Sequence, residues 1–206
     1  MRRVAIEGVI LTDAEVDHTM GILLLREAGH LPLVATRAVA GILERDSRIL
    51  DTTRAFSNVP VTELPLLSPV QLLHRDESPS GLSVEAFSVP AGVPRFASRE
   101  EEGHTVGLLV RDDERGTTCA FVPGCGDLDA TLLERFAGVD ALLFDGTFWT
   151  DEEMIALGVG KKTARQIDHL PISGPGGSLE QLSSLPCRHR VYTHINNTNP
   201  VLIESS

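Results

Sequence analysis

The fold class this sequence predicts is mixed α/β, and three observations predict it. Strand-like runs of branched residues alternate with stretches of helical periodicity, hairpin-type turns also occur, and 206 residues can bury a substantial core. The simplest organisation is one domain over residues 1–206. With 42% apolar residues, the composition is that of an ordinary globular protein.

The elements follow in order. VAIEGVILT (4–12) is rich in branched residues and reads as a strand. An acidic stretch follows, and then TMGILLLREAG (19–29) has helical periodicity and stops at Gly29, a C-terminal cap. LPLVAT (31–36) is the next strand, and AVAGILERD (38–46) is a short helix. Proline and turn residues between Ser57 and Val70 mark a loop or irregular strands. LSVEAFSVP (82–90) and HTVGLLVRD (104–112) alternate polar and apolar residues, and DDERGT (112–117) is a hairpin turn. TTCAFVP (117–123) and DALLFDGT (140–147) resemble buried strands separated by the helix ATLLERFAG (130–138). SGPGGSLEQLSSL (173–185) is a glycine-rich loop entering a helix, with Ser178 and Gln181 spaced as a capping box. RVYTHINNTNP (190–200) is a strand ending in a polar loop.

Charge and composition exclude several classes. A net charge of −11 with only 18 basic residues argues against non-specific nucleic-acid binding, which needs Lys and Arg to neutralise phosphates. Apolar runs such as GILLL are far too short for a membrane span. The start, MRRVAIEGVILTD, meets an acid at Glu7 and carries no signal-peptide core, so the expected location is the cytoplasm. Cys119, Cys125 and Cys187 are odd in number with no Cys-x-x-Cys spacing. That fits free thiols in a reducing interior and excludes a zinc knuckle within this chain.

Ligand-type residues cluster at strand exits. The first strand leads to Asp13, Glu15, Asp17 and His18, and later ones lead to Asp127, Asp145 and His194. If these strands lie side by side with their exits at one rim, distant residues meet there. Asp17, His18 and His194 supply two imidazoles and one carboxylate, the set associated with non-haem Fe(II), and one that zinc also accepts. Singly, each has a plainer reading: Asp17 as a helix cap, His18 as an exposed first-turn residue, His194 as a structural histidine. The loop at Ser173, Gly176 and Ser178 offers N–H groups for a substrate carboxylate, or is simply a loop before a capped helix. Asn196 and Asn197 either bond an oxygen-rich substrate or brace the loop that orients His194.

LTDAEVDHTMG (11–21) resembles the Thr-His-x-His-x-Asp-His-x-x-Gly stretch of the metallo-β-lactamase superfamily, with Asp13 and Glu15 in place of the first two histidines. The exchange makes that half of the site harder and more anionic, a poorer zinc position whose carboxylates suit proton acceptance or orientation of a metal-bound water. LTDAEVDHTMGILLLREAG, FVPGCGDLD, LLFDGTFWTDEEM, HLPISGPGGSLEQL and HINNTNP together resemble the PqqB family of coenzyme PQQ biosynthesis. The likeness runs in order from about Val4 to Ser206 and is weakest between Thr36 and Arg99.

The resemblance implies a metallo-β-lactamase-like αββα sandwich and an iron-dependent hydroxylation, with dioxygen, of the tyrosine-derived part of a Glu–Tyr precursor of pyrroloquinoline quinone. It places Asp17, His18 and His194 at the superfamily's second metal position and Asp127 at its Gly-Asp bridging position. His169 falls where related hydrolases keep a histidine that protonates or orients substrate, and Asp145 where an acceptor supports a ligand histidine. Glu15, Asp13 and His169 are the candidates for moving protons. PqqB proteins carry an earlier glycine-rich segment with a zinc-binding cysteine motif, and they continue past the point where this chain stops. The expectation is therefore a fragment whose sandwich is incomplete at the N-terminus. Its exposed strand edge leaves a homo-oligomer open. Two other functions stand beside the hydroxylase: a non-catalytic carrier of PQQ or its precursor, and a hydrolase with a single zinc.

Overall fold

The computed structural model describes residues 5–203, and the chain falls into two compact units. The first runs up to Ser88 and includes Val93–Gly116; the second is Val89–Gly92 with the chain from Thr117 onward.

In the first unit, β1 (Val9–Ile10), β2 (Leu33–Ala35) and β3 (Val61–Glu63) form a parallel sheet in that order. Parallel neighbours need crossovers, and helices supply them. α1 (Val16–Leu24) joins β1 to β2; α2 (Arg37–Arg45) and α3 (Ile49–Arg54) join β2 to β3. Leu11, Ile22, Leu31, Leu33, Val39, Leu43 and Leu50 pack into one buried cluster between them. Thr36 caps α2 by accepting from the Val39 N–H and donates its hydroxyl to the Gly103 carbonyl, which ties the helix start to a distant loop. β4 (Val70–Leu73), β5 (Pro79–Ser88) and β6 (Val106–Asp112) are antiparallel. The turn after β6 closes by a bond from the Gly116 N–H to the Asp112 carbonyl, with Gly116 at φ 67°.

Two elements differ from the sequence expectation. The predicted strand over 4–12 shrinks to β1, and Val4 lies outside the described residues. The helix expected from Thr19 begins three residues earlier, at Val16, with Glu15 in the N-cap position. Asp17 is thus inside the first turn, where its charge suits the helix dipole, and is not the cap. Gly29 does end the helical stretch, at φ 75° after a 3-10 turn over Arg26–Ala28. Among the described residues no helix is long and apolar enough to cross a membrane.

The second unit carries β7 (Thr117–Val122), β8 (Ala141–Asp145) and β9 (His189–Thr193), all parallel with β8 in the middle. α4 (Ala130–Phe136), capped by Asp129 through the Leu132 N–H, connects β7 to β8. α5 (Glu153–Ala156) and α6 (Ser178–Gln181) lie between β8 and β9 in the chain. Phe136 and Phe144 meet edge to face, both almost fully buried. The register pairs Val122 with Phe144 and Asp145 with Thr193, so the loops leaving all three strands emerge at one rim. Parallel sheets commonly build sites at the carboxyl ends of their strands.

All three cysteines are free, as the sequence implied. Cys125 is fully buried, and loss of solvent around it pushes its thiol up to about 12. A native-state titration with a chromogenic disulfide reagent at neutral pH is therefore expected to spare Cys125 until denaturant is added. Rapid labelling of Cys125 in the folded protein would contradict this packing.

Candidate metal centre

In the first unit the loop after β1 is organised by Asp13. This carboxylate is almost fully buried and accepts from the Thr12 hydroxyl, the Glu15 N–H and the His18 ring. His18 Nδ1 lies 2.7 Å from each carboxylate oxygen. A carboxylate only accepts, so Nδ1 carries the proton and the lone pair of neutral His18 is on Nε2. That nitrogen is 3.9 Å from Asp17 Oδ2. Two donor atoms at that spacing suit a shared ion, given bonds of about 2.0–2.2 Å to each.

The electrostatics follow from burial and proximity. Desolvation alone would lower the His18 pKa, but the Asp13 hydrogen bond and charge, with Asp17 and Glu15, outweigh it and raise it. Desolvation likewise works to raise Asp13, but His18, the Glu15 N–H and the Thr12 hydroxyl hold it below its ordinary value. Glu15 is raised, first by partial desolvation and then by the charges of Asp13 and Asp17, against the pull of His18 and Arg95. Asp13 thus has the placement of an acceptor that fixes the His18 tautomer, and Glu15 that of the more basic, more accessible carboxylate.

In the second unit the corresponding organiser is Asp145. Its side chain is fully buried and receives four hydrogen bonds. Cys125 N–H and His169 Nδ1 reach Oδ2 at 3.0 and 2.7 Å, and the Thr147 N–H and hydroxyl reach Oδ1 at 3.0 and 2.6 Å. Having given its proton to Asp145, the Thr147 hydroxyl accepts from His194 Nδ1 at 2.7 Å. One buried carboxylate therefore sets two histidines, one directly and one through a threonine, and both carry their lone pair on Nε2. The rings stack with centroids 5.6 Å apart, and ligand-type atoms of Asp145, His169 and His194 lie within 4.8 Å of one another. Asp145, occupied by four donors, is the acceptor behind them and not itself a ligand. Histidines backed on Nδ1 by a carboxylate, with Nε2 presented, are the usual form of metal-binding imidazole, so these donors fit such an ion.

His194 reaches this position in a left-handed backbone conformation, φ 57°, which costs a non-glycine residue about 1–2 kcal/mol. Gly146 makes the close approach feasible: a Cβ there would sit 2.7 Å from Ile195 Cδ1, 2.8 Å from Tyr192 Cβ and 2.9 Å from the Thr193 carbonyl oxygen. Sequence reasoning does not single out Thr147. Its signal, if any, is its place two residues after a strand-end aspartate, the spacing of a local Asx-type turn.

Other expected site residues sit as follows. Asp127 is exposed, accepts from the Leu128 N–H, and is not among the groups gathered around Asp145. From that loop it is the Cys125 N–H that meets Asp145. The Ser173, Gly176 and Ser178 N–H groups are spent on the Trp149 carbonyl, the Glu180 carboxylate and the Pro171 carbonyl, leaving none of the three for a substrate carboxylate. Nor does the Ser178–Gln181 capping box form. Gly177 is the N-cap, and the Ser178 hydroxyl, fully buried, pairs with the Tyr192 hydroxyl. Asn196 braces: its N–H donates to the Thr147 carbonyl, its amide to the Thr198 hydroxyl, and its side-chain carbonyl accepts from the Asn197 N–H. Asn197 is exposed.

The family model of the beta-lactamase superfamily domain matches residues 2–195. Coenzyme PQQ synthesis protein B of Gluconacetobacter diazotrophicus is 38% identical over 213 residues, covering all of this chain and 68% of the relative. The chain belongs to the PqqB family. The PqqB of Methylobacterium nodulans is 42% identical over 212 residues, again covering the whole chain and 68% of the relative. Among solved structures, the Zn(2+)-bound PqqB from Methylobacterium extorquens matches with TM-score 0.85 and 37% identity, over 97% of this chain and 66% of that one. The chain thus spans about two thirds of the PqqB proteins it matches, and the metallo-β-lactamase fold expected from the sequence is borne out.

Proposed function

We propose that this chain serves PQQ biosynthesis as a metal-dependent hydroxylase of the tyrosine-derived ring of a Glu–Tyr precursor, with Asp17, His18 and His194 holding one ion. The observation that carries the reading is the pair of buried carboxylates, Asp13 and Asp145, each spent on fixing histidines with Nε2 presented. Fe(II) suits a site of two imidazoles and one carboxylate, and when bound it supplies open positions and one-electron chemistry toward dioxygen. Zinc, which the Methylobacterium extorquens relative holds, takes the same donors without redox chemistry.

The chain's own groups then have distinct tasks. Asp13 and the Asp145–Thr147 pair orient the imidazoles by holding their Nδ1 protons. Glu15, with its raised pKa and exposed position, accepts a proton from the phenol, and His169 Nε2, which carries a lone pair, is a further proton acceptor. In the balanced reaction one oxygen atom of dioxygen enters the ring and the other leaves as water, using two electrons from an added reductant and two protons.

The test is incubation of the iron-loaded chain with a Glu–Tyr peptide, a reductant and oxygen-18 gas. Hydroxylated peptide carrying the label, formed only aerobically, is the expected result. Tight peptide binding with no oxygen uptake would replace the enzyme by a carrier. Cleavage of generic esters or lactams by the zinc-loaded chain would make it a hydrolase.

A further inference from the structure

DGTFWTDEEM and HINNTNP are 39 residues apart at their nearest ends, and the metal centre uses only Asp145, Thr147 and His194 from them. Several of the remaining residues of the two stretches are joined around another buried carboxylate. Glu153, in the first turn of α5, is 6% exposed. Its Oε2 accepts from the Trp149 N–H at 2.7 Å, and its Oε1 accepts from the Thr198 hydroxyl at 2.6 Å. Thr198 in turn accepts from the Asn196 side-chain amide at 2.7 Å, and the Asn196 N–H donates to the Thr147 carbonyl at 3.1 Å. Asn199, 1% exposed, donates its amide to the Gly146 carbonyl at 2.9 Å and caps the 3-10 turn over Pro200–Leu202 through the Val201 N–H.

These bonds run from α5 to the loop that follows His194 and return to the two residues after Asp145. We propose that Glu153 and Thr198 form a strap that holds His194 in its left-handed backbone conformation, and that both are positioning residues for the metal-ligand imidazole. The physical need is plain: a histidine at positive φ relaxes toward the extended region unless the chain on both sides is fixed. The Thr147 hydroxyl fixes the ring, and Gly146 N–H to the Thr193 carbonyl fixes the backbone before it. The strap fixes the backbone after it. A charged acceptor is suited to this, since bonds to an ionised carboxylate are short and about twice as strong as neutral ones. The inference rests on the reading of His194 as a ligand.

Thr198→Val keeps the side-chain shape and removes the hydroxyl, leaving Glu153 Oε1 without its donor and the Asn196 amide without its acceptor. Thr198→Ser restores both. In a competition titration against a chromophoric chelator, Thr198→Val is expected to bind zinc about 10–100-fold more weakly than wild type, the usual cost of losing an outer-shell partner. Thr198→Ser is expected to stay close to wild type. A merely structural role would lower the unfolding midpoint of Thr198→Val while leaving its affinity unchanged, and that result overturns the proposal. Should Thr198→Val not fold, Glu153→Gln is read in its place, since its NH2 must face either the Thr198 hydroxyl or the Trp149 N–H, both of which donate to Glu153. If wild type itself binds no zinc or iron, the ligand reading fails separately. The strap is then judged in the metal-free protein by exchange of the Asn196 amide proton and the His194 ring-nitrogen shifts. Faster exchange with a changed His194 tautomer in Thr198→Val supports it, and identical spectra dismiss it.

Discussion

Asp145→Asn is expected to cost about 2–4 kcal/mol of stability and to weaken metal binding about 10–100-fold. The asparagine carbonyl replaces only one of two acceptor oxygens. Its NH2 then faces either Cys125 N–H and His169 Nδ1–H or the two Thr147 donors, all aimed at it within 2.6–3.0 Å. To escape that opposition His169 must shift its proton to Nε2, or the Thr147 hydroxyl must turn and release His194. The first removes the His169 Nε2 lone pair from the rim, and the second leaves the His194 tautomer unfixed. Urea unfolding and a zinc competition titration read the two effects together. A variant within about 0.5 kcal/mol of wild type, the range of an ordinary surface substitution, would mean that the carboxylate does not organise these histidines.

The second large effect is expected at the ligands themselves. His18→Ala and His194→Ala should each lose more metal affinity than the roughly 100-fold that an outer-shell change costs, with aerobic hydroxylation falling to background. Asp13→Asn should fall between these and wild type, because it keeps one acceptor for His18 Nδ1 while placing an amide against either the Thr12 hydroxyl or the Glu15 N–H. Thermal unfolding of the metal-free proteins separates affinity from folding: His18 is half-buried at the start of α1, so its truncation leaves the apolar cluster under that helix intact. Equal turnover by wild type and either alanine variant would remove the residue from the mechanism.

How much of this structure can be read from the sequence depends on whether the signal is local. The acidic stretch at Asp13–His18, the strand end at Asp145 and the histidine of HINNTNP are all legible, because ligand types at strand exits are a local pattern. Parallel pairing of β7, β8 and β9 then brings two of those exits to one rim. The start of α1 lies three residues before the point that periodicity suggests, since Val16 and Asp17 do not extend the apolar pattern that marks the helix. The capping box at Ser178 has correct spacing, yet a tertiary partner wins: the Tyr192 hydroxyl claims the Ser178 side chain from 14 residues away. Thr147, Glu153 and Thr198 are invisible for the same reason. Their meaning lies in partners such as His194, 47 residues from Thr147, and no spacing rule reaches that far. The anion-cradle reading of the SGPGGS loop fails at a finer level, because whether an N–H is available depends on which carbonyl the folded loop brings to it.

The proposed chemistry requires the carboxylate–imidazole pair on α1 and the imidazole after β9 to grip the same ion. The decisive experiment is elemental analysis of bound iron or zinc per chain, after anaerobic loading and removal of excess metal. It compares wild type, His18→Ala, His194→Ala and the double variant. One ion is expected in wild type and essentially none in any of the three variants. An ion retained in full by either alanine variant, or halves lost additively from a larger total, would show that the two groups serve separate sites and would refute the shared centre.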